Sequence, residues 1–307
     1  MPTTKVIEKL LGLEGHQETL GDLGANLAIV AAALARTAER DDVDRWDPLP
    51  SGICSQRWCE GPTYRRWCAA FREPVRYQRK QWEKVFVARA LEVHGLLAPG
   101  KRGLAFGVGS ETLPAIFADR GCAILATDQG LESARKSGWS NEHARALERL
   151  NEGGFCDPRL FAERVRMRDV DMNAIPSDLR DFDFCWSCCA LEHLGSIEHG
   201  LRFVENSVAC LRPGGVAAHT LEFNLDSDDA TIADGPTVLF RRRDIEALVR
   251  RLEAAGHRVL PVDWSTGDAI LDDYVDTPPF HESCHLRLRI AGYRCTSLGL
   301  VVIRGDA

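Results

Sequence analysis

Gly103-Leu-Ala-Phe-Gly-Val-Gly-Ser-Glu111, followed by Ala126-Thr-Asp-Gln129, is the stretch whose reading decides the fold of this chain. The first run is a short apolar strand that ends in a glycine turn. The second is another short strand that ends on a carboxylate, Asp128, 21 positions after Gly107. A glycine turn lets a ligand approach the backbone closely, and an acid about 20 residues on can hydrogen-bond ribose hydroxyls. Together they predict an adenosine-containing cofactor. The dinucleotide fingerprint G-x-G-x-x-G is incomplete, because Leu113 stands where the third glycine belongs. Glu111 falls in the first turn after the loop, where a carboxylate repels a pyrophosphate. This disfavours a nicotinamide dinucleotide and suits a cofactor without phosphates.

Outward from this stretch the pattern alternates. Leu104–Phe106, Ala123–Thr127, Val165–Asp169, Phe182–Ser187 and Val216–Leu221 read as strands, separated by helical segments at Leu113–Ala118, Asn141–Leu150 and His199–Leu211. Such alternation predicts an α/β fold with a parallel sheet and helices on both faces. Asp244–Ala255 reads as a helix and Val259–Asp263 as a strand. His285–Ile290 and Ser297–Arg304 give two strands with a short link around Gly292, a pair that must be antiparallel. Upstream, apolar residues at three- and four-residue spacing predict helix over residues 3–40, and Trp82–Leu97 predicts another. Residues 51–80 read as irregular and are rich in Trp, Arg and Cys.

The 307 residues can bury a sizeable core, and the formal charge of −7 with interspersed signs argues against a nucleic-acid partner. The longest apolar run, Leu27–Ala35, is too short to span a bilayer. The first residues lack the pattern of an export signal, so a cytoplasmic protein is expected, with its eleven cysteines as free thiols. Self-association is left open.

The set Gly107-Val-Gly109, Asp128, Asp171-Met172, Phe182-Asp-Phe184 running into Ser187, Leu191-Glu-His-Leu194 and Leu211-Arg-Pro-Gly-Gly215 resembles class I S-adenosylmethionine-dependent methyltransferases over residues 99–307. The resemblance implies a Rossmann-like, seven-stranded, mostly parallel sheet with an antiparallel C-terminal strand, and S-adenosyl-L-methionine as cofactor. Residues 1–98 would then be a helical lid or substrate cover and residues 99–307 the cofactor-binding domain. By this likeness Gly107, Val108 and Gly109 pass under the methionine part. Asp128 and Gln129 hold the ribose, Asp171 and Met172 frame the adenine, and Ser187 and Cys188 line the pocket. Many members carry an acid two positions before the first glycine; here that residue is Ala105. Arg76, Arg79, Lys80 and Trp82 are candidates for a cover over the cofactor, with Arg79 able to pair with its carboxylate.

Methyl transfer asks the protein mainly for alignment and exclusion of water. For a hydroxyl acceptor a general base would help, and His193, His219 and Glu222 follow or end central strands. The expected reaction is O-methylation of a small polar molecule, a sugar or natural product. N-methylation of a small molecule or peptide, a nicotinamide-dependent oxidoreductase and a non-catalytic nucleoside-binding protein are the alternatives. His219, Glu222, Asp226, Asp228 and Asp229 offer possible metal ligands. Residues three apart on a regular strand face opposite ways, so no metal is expected. Cys185, Cys188 and Cys189 read as buried apolar thiols rather than a zinc site.

Overall fold

The structure, a computed structural model, describes Asn26, residues 44–129 and residues 147–306. The helical reading of residues 3–40, apart from Asn26, and residues 141–146 of the predicted 141–150 helix lie outside this set. Among the described residues the main strands of an eleven-stranded sheet are β1 (Ser51–Ile53), β2 (Arg102–Phe106), β3 (Ala123–Asp128), β4 (Val165–Asp169), β5 (Phe182–Cys188), β6 (Leu211–Asn224), β7 (Arg258–Val259), β8 (Arg287–Ile290) and β9 (Tyr293–Ile303). The order across the sheet is β4-β3-β2-β5-β6-β9. The first five run parallel, and β9 lies antiparallel to β6 in register from Cys295 opposite Asn224 to Ile303 opposite Val216. The mostly parallel sheet with an antiparallel last strand is therefore as predicted. Beyond β9 the sheet is not one strand: β8, β1 and β7 each pair antiparallel with successive parts of β9, and Val275–Asp276 and Val262–Asp263 add in parallel outside β8 and β1.

Among the described residues six helices flank the sheet: α1 (Pro62–Ala70), α2 (Arg79–Val93), α3 (Leu113–Asp119), α4 (Pro158–Arg164), α5 (Ile197–Ala209) and α6 (Arg242–Ala254). Alternate strand residues face opposite layers. Ala105 packs with α1–α4, while Leu104 and Phe106 pack with α5 and α6. Both faces of the central strands are covered, so they read as apolar runs rather than alternating ones.

The Trp- and Cys-rich segment, read as irregular, holds α1 and an aromatic core. Trp46, Trp58, Trp82 and Phe86 form a chain of ring contacts at 4.7, 6.0 and 5.0 Å, all fully or almost fully buried. Phe86 presses α2 onto the sheet where Gly299 leaves room, since a Cβ there would lie 2.4 Å from the ring. Residues 44–98 thus share one core with the sheet and supply β1 to its edge. In the described residues this segment packs against the sheet and walls one side of it. All eleven cysteines are free, and nine are buried. Among the described residues no helix is long and apolar enough to cross a membrane.

Candidate functional site

Parallel strands that end at one edge open a crevice there. At the C-terminal ends of β2, β3 and β5, walled by the start of α2, lies a cleft of about 1090 Å³. Its floor is the glycine loop after β2. Gly107 and Gly109 have φ of +60° and +50°, a region that L side chains rarely adopt. A Cβ on Gly107 would sit 2.8 Å from the Cβ of Ala190. Sequence placed glycine there because the loop must both turn and pass close to the chain after β5.

Asp128, at the tip of β3 and almost wholly buried, ties this loop down. Its Oδ2 accepts from the Gly109 N–H at 3.0 Å and its Oδ1 from the Gln129 N–H at 2.8 Å. Gln129, Asp171, Met172, Val108 and Cys188 line the same cleft. Glu111 lines it too, accepting from Trp186 Nε1 at 2.7 Å. Burial pushes its carboxyl up to about 7, against the hydrogen bonds from Trp186 and Cys188.

Three of the predicted residues are placed differently from expectation. Ser187 is fully buried and outside the cleft lining, with its Oγ 2.8 Å from His219 Nδ1. His219 is equally buried, with Nε2 2.9 Å from Ser207 Oγ, between the sheet and α5. Burial depresses it to about 3, so it stays neutral and cannot reach a substrate in the cleft. It is a bridge between two serines and drops out as a base. Arg79 lines the cleft, but Glu222 Oε2 at 2.8 Å and Glu83 Oε1 at 3.6 Å hold its guanidinium. Both contacts are made through Nη1, and Nε is buried with no hydrogen-bond partner among the described residues.

His193 and Glu222 do line the cleft. His193 Nδ1 lies 2.9 Å from the Pro236 carbonyl oxygen, which can only accept. Nδ1 therefore carries the proton and the ring's lone pair is on Nε2. Glu222 and His219, three apart on β6, point to opposite faces as strand geometry requires, so they share no ion. Asp226 pairs with Arg294 and Asp229 with Arg243, outside the cleft.

Beside the predicted Glu222 the cleft contains two acids that sequence reasoning passed over, Glu83 and Glu192. Glu83 on α2, Glu192 in the single 3-10 turn after β5, and Glu222 are 2%, 1% and 3% exposed. Cys189 Sγ, an oxygen of Glu192 and one of Glu222 lie within 4.8 Å of one another. Cys189 itself sits at φ +44° and donates to Glu83 Oε1 at 3.0 Å. Burial pushes Glu192 up to about 8. Burial also works against Glu83, but Lys80 and Arg79 outweigh it and hold that carboxyl below its usual range. The signal for Glu192 was in Leu191-Glu-His-Leu194, where the histidine drew the attention.

No family model and no curated protein sequence matches the chain. Solved structures do resemble it. A SAM-dependent methyltransferase from Aquifex aeolicus is 17% identical over 70% of this chain and 88% of that one, with a TM-score of 0.39. An S-adenosylmethionine-dependent methyltransferase from Clostridium acetobutylicum ATCC 824 is 14% identical over 72% and 90%, at 0.40. The [4+2]-cyclase SpnF is 16% identical over 74% and 83%, at 0.46. Identities and scores this low carry no residue roles across, and one fold can serve unrelated chemistries.

Proposed function

We propose that the chain is an S-adenosylmethionine-dependent methyltransferase acting on a small polar acceptor. The observation that carries this reading is the glycine loop tied by its own Gly109 N–H to Asp128, at the mouth of a parallel sheet. The cradle fits a nucleoside cofactor: a side chain on Gly107 would fill it, and Asp128 presents a buried carboxylate for ribose hydroxyls. Glu111, beside the loop, fits a cofactor with no phosphate and a cationic methionine end. Gly107, Val108 and Gly109 would pass beneath the methionine part, Asp128 and Gln129 would hold the ribose, and Asp171 and Met172 would frame the adenine. When bound, the cofactor supplies an already activated methyl group.

The protein's part is alignment and exclusion of water. Wall and floor leave the acceptor end of the cleft bounded by Cys189, Glu192, His193 and Glu222. A hydroxyl acceptor, as the sequence led us to expect, would find His193 Nε2 or a carboxylate as proton acceptor. An amine would find the carboxylates. The test is transfer of label from methyl-labelled S-adenosylmethionine into a mixture of small hydroxyl and amine compounds, which the reading expects and which Asp128→Ala should lose. Cofactor binding without transfer to any acceptor would leave a non-catalytic binding protein instead.

A further inference from the structure

The inner end of the cleft is overcharged with acid. Glu83, Glu192 and Glu222 face two cations, Arg79 and the half-exposed Lys80, and all five side chains line the cavity. Among the described residues, Glu192 Oε2 and Glu222 Oε1 are buried with no hydrogen-bond partner. A carboxylate oxygen taken from water and left without a donor costs about 1–3 kcal/mol or more. Native structures rarely tolerate one such oxygen without a reason, and here two occur in one cluster.

We propose that the methyl acceptor is an amine, and that its protonated nitrogen is received between Glu192 and Glu222. The assignment rests on the methyltransferase reading and names the substrate class of that site. An ammonium brings several N–H donors for the two open oxygens and the positive charge that balances Glu192 once it ionises. A hydroxyl brings one donor and no charge. A metal ion suits the cluster less well. Cys189 is a thiol that donates to Glu83, with burial raising its pKa well above normal, whereas a metal needs the thiolate. Arg79 also stands 2.8 Å from Glu222, where it would repel a divalent ion.

Before the nitrogen can act as a nucleophile it must lose a proton. Glu192 is the receiver: R–NH3+ and the Glu192 carboxylate give R–NH2 and the Glu192 carboxylic acid, with atoms and charge balanced. Burial favours that proton on Glu192. The charged and titratable groups around it are Arg79, Lys80 and Glu83 from α2, Cys189 and His193 from its own connection, and Glu222 from β6. His285, paired with Asp276 and buried, also feels the charges of Arg79 and Glu222.

Calorimetry on the full chain loaded with S-adenosylhomocysteine tests this with matched probes: ethylamine, benzylamine and glucosamine against ethanol, benzyl alcohol and glucose. At least one amine should bind tenfold or more tightly than its alcohol. Glu192→Gln and Glu222→Gln should each reduce that binding at least tenfold, while affinity for S-adenosylhomocysteine, which reports an intact fold, stays within threefold. Repeating the titration at pH 7 in buffers of different ionisation enthalpy should show proton release in the wild type and none in Glu192→Gln. Equal or tighter binding of every alcohol, or no preference for any amine, overturns the assignment. Stoichiometric binding of zinc chloride that is lost in Cys189→Ser also overturns it. If S-adenosylhomocysteine does not bind the wild type, the methyltransferase reading falls and the acceptor assignment with it; binding of S-adenosylhomocysteine without amine preference removes only the latter.

Discussion

Removing the Asp128 carboxylate separates the two jobs assigned to it. In the protein alone, Asp128 accepts from Gly109 N–H and Gln129 N–H at 3.0 and 2.8 Å. Asp128→Ala leaves both donors without this acceptor, in a place where the carboxylate was only 5% exposed. Each such loss costs about 1–3 kcal/mol, so the glycine loop loosens and the fold loses roughly 2–6 kcal/mol. With cofactor present a further charge-assisted bond to the ribose is lost, worth about 1.5–3 kcal/mol. At about 1.4 kcal/mol per decade, affinity for S-adenosylhomocysteine should fall by roughly ten- to a hundredfold or more. Asp128→Asn keeps the shape and one acceptor oxygen, and should fall between the wild type and Asp128→Ala. Calorimetric titration gives affinity, and urea unfolding gives stability, so the two effects are read apart. An Asp128→Ala protein that binds S-adenosylhomocysteine within twofold of wild type would refute the assignment of this carboxylate to the ribose.

Other consequences follow from particular contacts. Gly107→Ala forces a side chain into the left-handed region and against Ala190, so it should cost about 1–3 kcal/mol in urea unfolding and abolish S-adenosylhomocysteine binding. His219 is depressed from 6.5 to about 3, so only the unfolded chain binds its proton between these values. Its stabilisation is complete above pH 6.5 and is lost by about 1.4 kcal/mol per pH unit as pH falls towards 3. His219→Leu should therefore be destabilised at pH 7, approach wild type in acid unfolding at pH 4–5, and bind S-adenosylhomocysteine normally. Glu192 has the opposite sign. Raised from 4.5 to about 8, it stabilises fully below pH 4.5 and progressively less as pH rises through 8. Glu192→Gln should flatten the wild type's decline in stability across that window, and a variant that declines equally would show that Glu192 is not buried as described.

The parallel core of the fold was legible because its strands are buried on both faces and punctuated by glycine turns. β4 matches its expected bounds, and β2, β3 and β5 extend theirs by one or two residues. At the edge the antiparallel β8–β9 pair was legible, but β1, three residues long, was not, and the strand read at Val259–Asp263 is split into Arg258–Val259 and Val262–Asp263, on different partners. Periodicity cannot register strands so short. α1 was missed in the segment 51–80, where Trp and Cys positions obscured a nine-residue helix opened by Pro62. In the site, glycine and Asp128 spacing located the cofactor loop, since those residues act through the backbone and through local distance. The acid cluster joins α2, the turn after β5 and β6, which are 83, 192 and 222 in sequence, and no local pattern brings them together. Histidine was overvalued for the same reason: His219 ends no strand, because β6 runs on to Asn224, and its neighbours there are serines rather than solvent.

The central claim is that the cleft binds an S-adenosyl cofactor. A calorimetric titration of the wild-type chain with S-adenosylhomocysteine and, separately, with NAD tests it most directly. The account predicts one molecule of S-adenosylhomocysteine per chain and no measurable heat from NAD, because Glu111 stands where a pyrophosphate would lie. Binding of NAD with none of S-adenosylhomocysteine would contradict it.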